Sequence, residues 1–197
     1  LHSFPTRRSS DLNASQGKPA YAAIINRLDR PVSGLVLIAK NKSAAAKYST
    51  LMQKEGGFNK QYEALICGKL SELKGTFVDY LKKDGRTNTS AIVPADAAAN
   101  DKEAKLSKLE YEVISYDEVK NITHVRIHLI TGRHHQIRVQ FASRRHPLVG
   151  DYKYATADCD MDNAVKAVAL KRNQIALCAV SLTVDNKTYS VAPEFLL

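Results

Sequence analysis

Residues 122 to 130 read ITHVRIHLI. Val125, Ile127 and Leu129 alternate there with His124, Arg126 and His128. A strand sends successive side chains to opposite faces of its sheet, so this segment asks for one apolar face and one basic face. That is the pattern of an antiparallel sheet with its core on one side. The run from 109 to 116, joined to it through residues 117 to 121, completes a hairpin. The rest of the chain has to extend that sheet and cover its apolar face.

The remaining pattern supplies strands and a few helices. Residues 21 to 25 form a short apolar run, and residues 34 to 39, β-branched and leucine-rich, read as a buried strand. Residues 42 to 54 are alanine-rich with Leu51 and Met52 behind, and Gly56-Gly57 supplies a helix stop. Residues 61 to 67 and 75 to 81 read as strands. Residues 83 to 105, rich in Asn, Asp and Ala, read as an exposed connection. A short helix is expected over 134 to 143, with Ile137 and Phe141 one turn apart. The segment HPLVGDYKY is a turn, a helical stretch lies near 162 to 171, and a last hairpin pairs 175 to 184 with 188 to 191. No internal repeat is present.

The chain has 197 residues, enough for one domain with a sizeable core. Lys and Arg number 29 against 20 Asp and Glu, a net charge of +9, and the pI is near 9.4. Such a balance favours a polyanionic partner, nucleic acid before lipid. No apolar run reaches the ~20 residues of a spanning helix. The three cysteines, Cys67, Cys159 and Cys178, are odd in number and far apart. They fit a reducing cytoplasm better than a disulfide framework. The opening LHSFPTRRSSDL lacks an initiator Met and a secretory core, and residues 1 to 12 read as a non-native leader.

Two stretches a hundred residues apart carry chemistry. In NRLDRPVSG, residues 26 to 34, one acid, Asp29, stands between Arg27 and Arg30. In TGRHHQIRVQF, residues 131 to 141, Thr131, Gly132 and Arg133 stand at a helix entrance, where free N–H groups and the helix dipole favour an anion. His135 and Arg138 share a face of that helix. With Ile137 and Phe141 in the core, Arg138 lies at the edge of buried surface and calls for a carboxylate. Asp29 is the candidate. An acid clamped by guanidinium groups stays anionic and oriented, which suits attack or electrostatic work at a sugar carbon, and it equally suits a structural ion pair.

IINRLDRPVSGLVLIAK, NKQYEA and ITGRHHQIRVQFASRRHPLVGDYKYA resemble, in order and spacing, the motifs of the RluA-type pseudouridine synthases. These enzymes isomerise uridine in structured RNA. The resemblance runs from about Ala20 to the VAPEF near the C-terminus. It implies an α+β fold: a mixed, mainly antiparallel sheet with a few flanking helices, over residues 13 to 197, lacking its usual N-terminal strands. By position it makes Asp29 the catalytic aspartate, Tyr62 the ring that stacks on a flipped uracil, and Arg138 the partner of the aspartate. Arg27, Arg30, Arg133, His135 and Gln136 become candidate RNA contacts, and the last three serve equally as support for the site. Asp151 reads as a turn residue.

Three positions depart from the family pattern: Asn26 stands for its usual His, Val32 for Thr, and Cys178 for a His near the last strand. The implied partner is ribosomal or transfer RNA, the implied assembly a monomer in the cytoplasm. No cofactor or metal is expected, since an isomerisation needs none and no glycine-rich phosphate loop occurs. The competing readings are an RNA-binding module of the same fold without catalysis, and a two-carboxylate glycosidase, for which neither motif offers a second acid.

Overall fold

The computed structural model describes residues 21–54, 57–195 and 197. The expected leader over 1 to 12, and Gly56 of the expected helix stop, lie outside the described residues. The chain divides into two compact units. One comprises Leu1–Leu28 and Val36–Phe58, the other Asp29–Leu35 and Asn59–Leu197.

In the first unit, strand β1 (Ala23–Ile24) pairs antiparallel with β3 (Ile38–Ala39); β2 (Ser33–Gly34), between them in sequence, belongs to the second unit. Asn26 closes the connection by accepting a hydrogen bond from the Leu37 N–H at 2.6 Å. An amide thus does structural work where the family pattern has His. Helix α1 (Lys42–Gln53) follows, within a residue of its expected bounds. Its cap is Asn41, whose side chain accepts from the Ala44 N–H at 2.8 Å and satisfies one of the free donors of the first turn.

The second unit is built on an eight-stranded sheet. The strands are β2 (Ser33–Gly34), β4 (Asn59–Cys67), β5 (Lys74–Asp84), β6 (Thr89–Val93), β7 (Lys105–Asp117), β8 (Ile122–Leu129), β9 (Leu177–Val184) and β10 (Lys187–Ser190). Their order is β10-β9-β4-β8-β7-β5-β6, with β2 joined to β9. Every pairing on the main path is antiparallel. The β2–β9 pairing is parallel.

Helices α2 (Ala95–Ala98), α3 (Gln136–Ala142) and α4 (Met161–Ala167) complete the unit. The mixed, mainly antiparallel α+β architecture is the expected one. Among the described residues no helix is long and apolar enough to cross a membrane.

The alternation in β8 sets the layers. Tyr62 lies opposite Ile127 in the register of β4 with β8, so it shares the apolar face. Tyr111 and Leu109 continue that face across β7, and Phe77 carries it to β5. Helix α3 packs here: the Phe141 ring meets Phe77 at 5.0 Å and Tyr111 at 5.9 Å, both edge-on. At one end of the opposite face Leu65, Ile122 and Cys178 pack with Met161 and Ala164 of α4 and with Phe195. Cys178 is therefore a core residue that shares its face of the sheet with Glu63 rather than with Tyr62.

Three expectations need correction. Residues 83 to 105 are not an exposed connection: β5 runs on to Asp84, β6 pairs with it, and α2 follows. Asp84 stabilises the turn by accepting from the Arg86 N–H and the Thr87 hydroxyl, both at 2.8 Å. The expected strand over 34 to 39 is divided, Ser33–Gly34 pairing with β9 and Ile38–Ala39 with β1. Gly34 is the reason. It has φ +120°, and a Cβ there would sit 2.5 Å from the Ala179 backbone, so only glycine lets the two chains approach.

The third correction concerns the cysteines. Cys67 and Cys159, 92 residues apart, form a disulfide with a Cα separation of 6.0 Å. The end of β4 and the segment before α4 pack into one core cluster, which brings together residues whose spacing gave no sign of pairing. Cys178 is the free, buried thiol.

Candidate active site

The site grows from α3. Its apolar residues Ile137, Val139 and Phe141 are buried, and so is Arg138, only 4% exposed. A guanidinium cannot be buried there without acceptors. Asp151 provides two: Arg138 Nε donates to Oδ2 at 2.7 Å and Nη2 to Oδ1 at 2.8 Å. This is the bidentate fork geometry that suits a carboxylate. Asp151 itself is 1% exposed.

Gly150, at φ +86°, makes the turn that presents Asp151. A Cβ there would collide with the Gln174 carbonyl. The Asp151 N–H closes the same turn on Leu148 O at 3.0 Å. Asp151 is thus a turn residue, as expected, and also the principal anchor of Arg138.

With two nitrogens spent on Asp151, Arg138 turns the third outward. Nη1 donates to Asp29 Oδ2 at 3.2 Å, and the Asp29 side chain is 29% exposed. Asp29 is held from its own loop as well, since its carbonyl accepts from the Val32 N–H at 2.9 Å. The Arg138 pKa is raised: burial works against the charge, and Asp151, then Asp29, outweigh it. Its guanidinium also lies over the Tyr154 ring at 5.0 Å.

Tyr62, on β4 beside a bulge between Gln61 and Tyr62, is 8% exposed. Burial, followed by the charge of Asp29, pushes its phenol up to about 12. It is a neutral ring with an O–H at physiological pH.

The expected contacts around α3 are placed differently. His135 is buried in the left-handed region at φ 53°, immediately before the helix. Its Nδ1 lies 2.7 Å from the Tyr154 hydroxyl, and its Nε2 lies 3.6 Å from Asp29 Oδ2. Burial first, and the Arg138 charge second, lower its pKa to about 4. It is a neutral imidazole at pH 7 and carries no charge for a phosphate.

Gln136 is also buried. Its carbonyl accepts from the Thr131 hydroxyl at 2.8 Å and the Arg133 N–H at 3.0 Å, while its amide donates to Lys108 O at 3.1 Å. The helix-entrance donors expected to bind an anion are therefore occupied from within, because the Gln136 carbonyl takes the place an anion would fill. The helix starts at Gln136, two residues later than expected. Arg133 is exposed, with its Nε donating to Leu106 O at 3.0 Å. Arg30 in this unit and Arg27 in the first unit are exposed.

Two further residues escaped the sequence reading. Tyr154 supports His135, and the Ser90 N–H donates to the Tyr154 hydroxyl at 2.8 Å. A buried arginine with five donors asks for more acceptors than Asp29 alone, and that was the available signal for Asp151. Nothing comparable marked Ser90, which lies in the segment read as an exposed connection. No cluster of three metal-ligating side chains occurs among the described residues.

The arrangement has recognised relatives. Residues 2–143 match the family model described as RNA pseudouridylate synthase. The ribosomal large subunit pseudouridine synthase D of Blochmanniella floridana is 36% identical over 135 residues, covering 68% of this chain and 38% of that protein. The synthase D of Vibrio vulnificus is 30% identical over 177 residues, covering 88% of this chain and 51% of that protein. The chain thus spans 38% of one of these relatives and 51% of the other.

Among solved structures, human RNA pseudouridylate synthase domain containing 4 shares the fold at a TM-score of 0.73 with 18% identity, over 94% of this chain and 76% of that one. Human RNA pseudouridylate synthase domain containing 1 does so at 0.69 with 24% identity, over 88% and 69%. With residues 2–143 matched by that family model, the chain belongs to the RNA pseudouridylate synthase family.

Proposed function

We propose that this chain converts uridine to pseudouridine in structured RNA. The bond from ribose C1′ to uracil N1 breaks, the base turns in its pocket, C1′ joins C5, the C5 proton leaves to solvent, and N1 takes up a proton in its place. Atoms balance without oxidant, metal or nucleotide. The observation that carries the reading is Asp29: a partly exposed carboxylate whose orientation is fixed by an otherwise buried, doubly anchored guanidinium.

Each neighbour has a part. Asp29 stands beside the anomeric carbon, to attack it or to assist proton loss at the adjacent ribose carbon. Arg138 keeps the carboxylate pointed. Tyr62 receives the extruded base on a neutral ring, and stacking of this kind is worth about 1–3 kcal/mol per base, against an unstacking cost of a few kcal/mol. The exposed Arg27, Arg30 and Arg133 and the net charge of +9 suit a phosphate backbone. His135 and Gln136, neutral and buried, support the site from behind.

The curated relatives are named for the large ribosomal subunit, so ribosomal RNA is the favoured substrate class over transfer RNA. We read the chain as a cytoplasmic monomer, a location resting on the RNA substrate and no longer on the cysteines.

Tritium release from RNA labelled at uracil C5 tests the reading. Release that is abolished in Asp29→Ala supports it. Binding without release, in a chain that is folded, would favour the non-catalytic module, and equal release from the Asp29→Ala variant would remove Asp29 from the chemistry.

A further inference from the structure

The site described above uses Arg138 to hold one oxygen of Asp29 and leaves a second group aimed at that same oxygen. His135 Nε2 lies 3.6 Å from Asp29 Oδ2, too far for a hydrogen bond in this state but within the closure that catalytic contacts commonly undergo when substrate arrives. Which ring nitrogen carries the proton decides whether this approach is attractive. A bare nitrogen facing a carboxylate repels it, and an N–H attracts it.

The hydrogen-bond chain behind the ring favours one choice. The Ser90 N–H is a donor only, so the Tyr154 oxygen accepts from it at 2.8 Å. The single phenolic proton of Tyr154 is then free to go to His135 Nδ1, 2.7 Å away. An imidazole that accepts at Nδ1 and is neutral carries its proton on Nε2, the nitrogen facing Asp29. The ring is locked from its flat side too. His134 stacks on it at 3.8 Å and 23°, and His134 Nδ1 is held 2.9 Å from the Ser90 hydroxyl. Ser90 thus braces both imidazoles, one through its backbone and one through its side chain. A non-glycine residue in the left-handed region is strained and persists only where its surroundings over-determine it. His135 meets that condition at φ 53°.

We propose that His135 is a positioning residue for Asp29, its Nε2–H directed at the carboxylate by a chain running from the Ser90 backbone through the Tyr154 hydroxyl. This rests on the reading of Asp29 as the reacting group, and it moves His135 from the RNA-contacting set to the carboxylate's support. Arg138 and His135 then grip Asp29 Oδ2 from two directions and leave Oδ1 for the ribose. Tyr154 joins both supports, since its hydroxyl sets the tautomer of His135 and its ring lies against Arg138.

The test uses the full chain, with Tyr154→Phe as the variant because it keeps the ring beside Arg138 and removes only the hydroxyl. Nitrogen-15 NMR of histidine-labelled protein reads the His135 tautomer without turnover. The expected spectrum shows Nε2–H in the unaltered chain and a loss of that preference in Tyr154→Phe. In tritium release, kcat is expected to fall roughly tenfold to a hundredfold with KM for RNA unchanged, the scale of a misplaced reacting group.

An Nδ1–H tautomer in the unaltered chain would overturn the proposal. So would an unchanged kcat in Tyr154→Phe, or a raised KM with kcat intact, which would return His135 to an RNA contact. A chain that shows the Nε2–H tautomer yet releases no tritium would count against the pseudouridine reading while leaving the directed hydrogen-bond chain standing.

Discussion

On one side of Arg138, Asp151 is 1% exposed and takes hydrogen bonds of 2.7 and 2.8 Å. On the other, the Asp29 side chain is 29% exposed and takes a single bond of 3.2 Å. The same guanidinium serves both acids in opposite ways. Toward Asp151 the pair is a sealed fork in which neither partner can be removed without stranding the other. Toward Asp29 it is one bond at a solvent-facing edge, which orients a carboxylate without enclosing it. The outer face of the sheet offers a third setting, where Lys74 meets Glu112 at 2.8 Å with the side chains 73% and 47% exposed. Burial, more than distance, separates the anchor from Asp29 and both from the surface pair.

The sharpest way to break this comparison is to remove each acid in turn. Asp29→Asn is expected to reduce tritium release by roughly 10²- to 10⁴-fold while thermal unfolding stays near that of the unaltered chain. Asp151→Ala should behave differently. It leaves a buried guanidinium without its main partners, and a loss of about 3–5 kcal/mol is expected in denaturant unfolding. Equal stability losses in the two variants would show that the acids are not distinct in kind.

A smaller effect concerns pH. His135 titrates near 4 in the folded chain and near 6.5 when unfolded. Between those values the unfolded chain binds more protons, so stability falls as pH drops from 7 through this window and levels off below it. The ring is faced by Arg138, His134 and Lys153, which oppose its protonation, and by Asp29, which favours it. Denaturant unfolding should lose on the order of 1–2 kcal/mol between pH 7 and pH 5. That loss should shrink in His135→Gln. A residual slope will remain, because burial also lowers His124 and His134. Smallest of all, Lys74→Ala on the outer face should leave the unfolding midpoint unchanged within error, as exposed ion pairs contribute little.

Much of this was legible locally. The alternation in residues 122 to 130 carried β8 and its pairing with β7, and helix α1 followed from alanine-rich composition. The pairing of Asp29 with a particular arginine was read from the two motifs, because a lone acid and an apolar-flanked guanidinium each lack something the other has. The helix entrance misled, since the free donors that propose an anion site are the same donors that Gln136 satisfies with its own carbonyl. The strand β6 was missed in a segment rich in Asn, Asp and Ala, where pairing with β5 outweighs weak propensity.

Sequence by itself determined the period of the sheet, its two faces, the net positive charge and the residue types of the site, because each can be read along the chain without knowing which distant segments meet. Tertiary structure decided the rest. It made Asp151 the anchor of Arg138, joined Cys67 to Cys159 and turned His135 toward Asp29. Each depends on a close approach between distant segments, allowed by Gly34 and Gly150 and by the packing of α3 and α4, and the free energy of such an approach resides in burial that no short stretch contains.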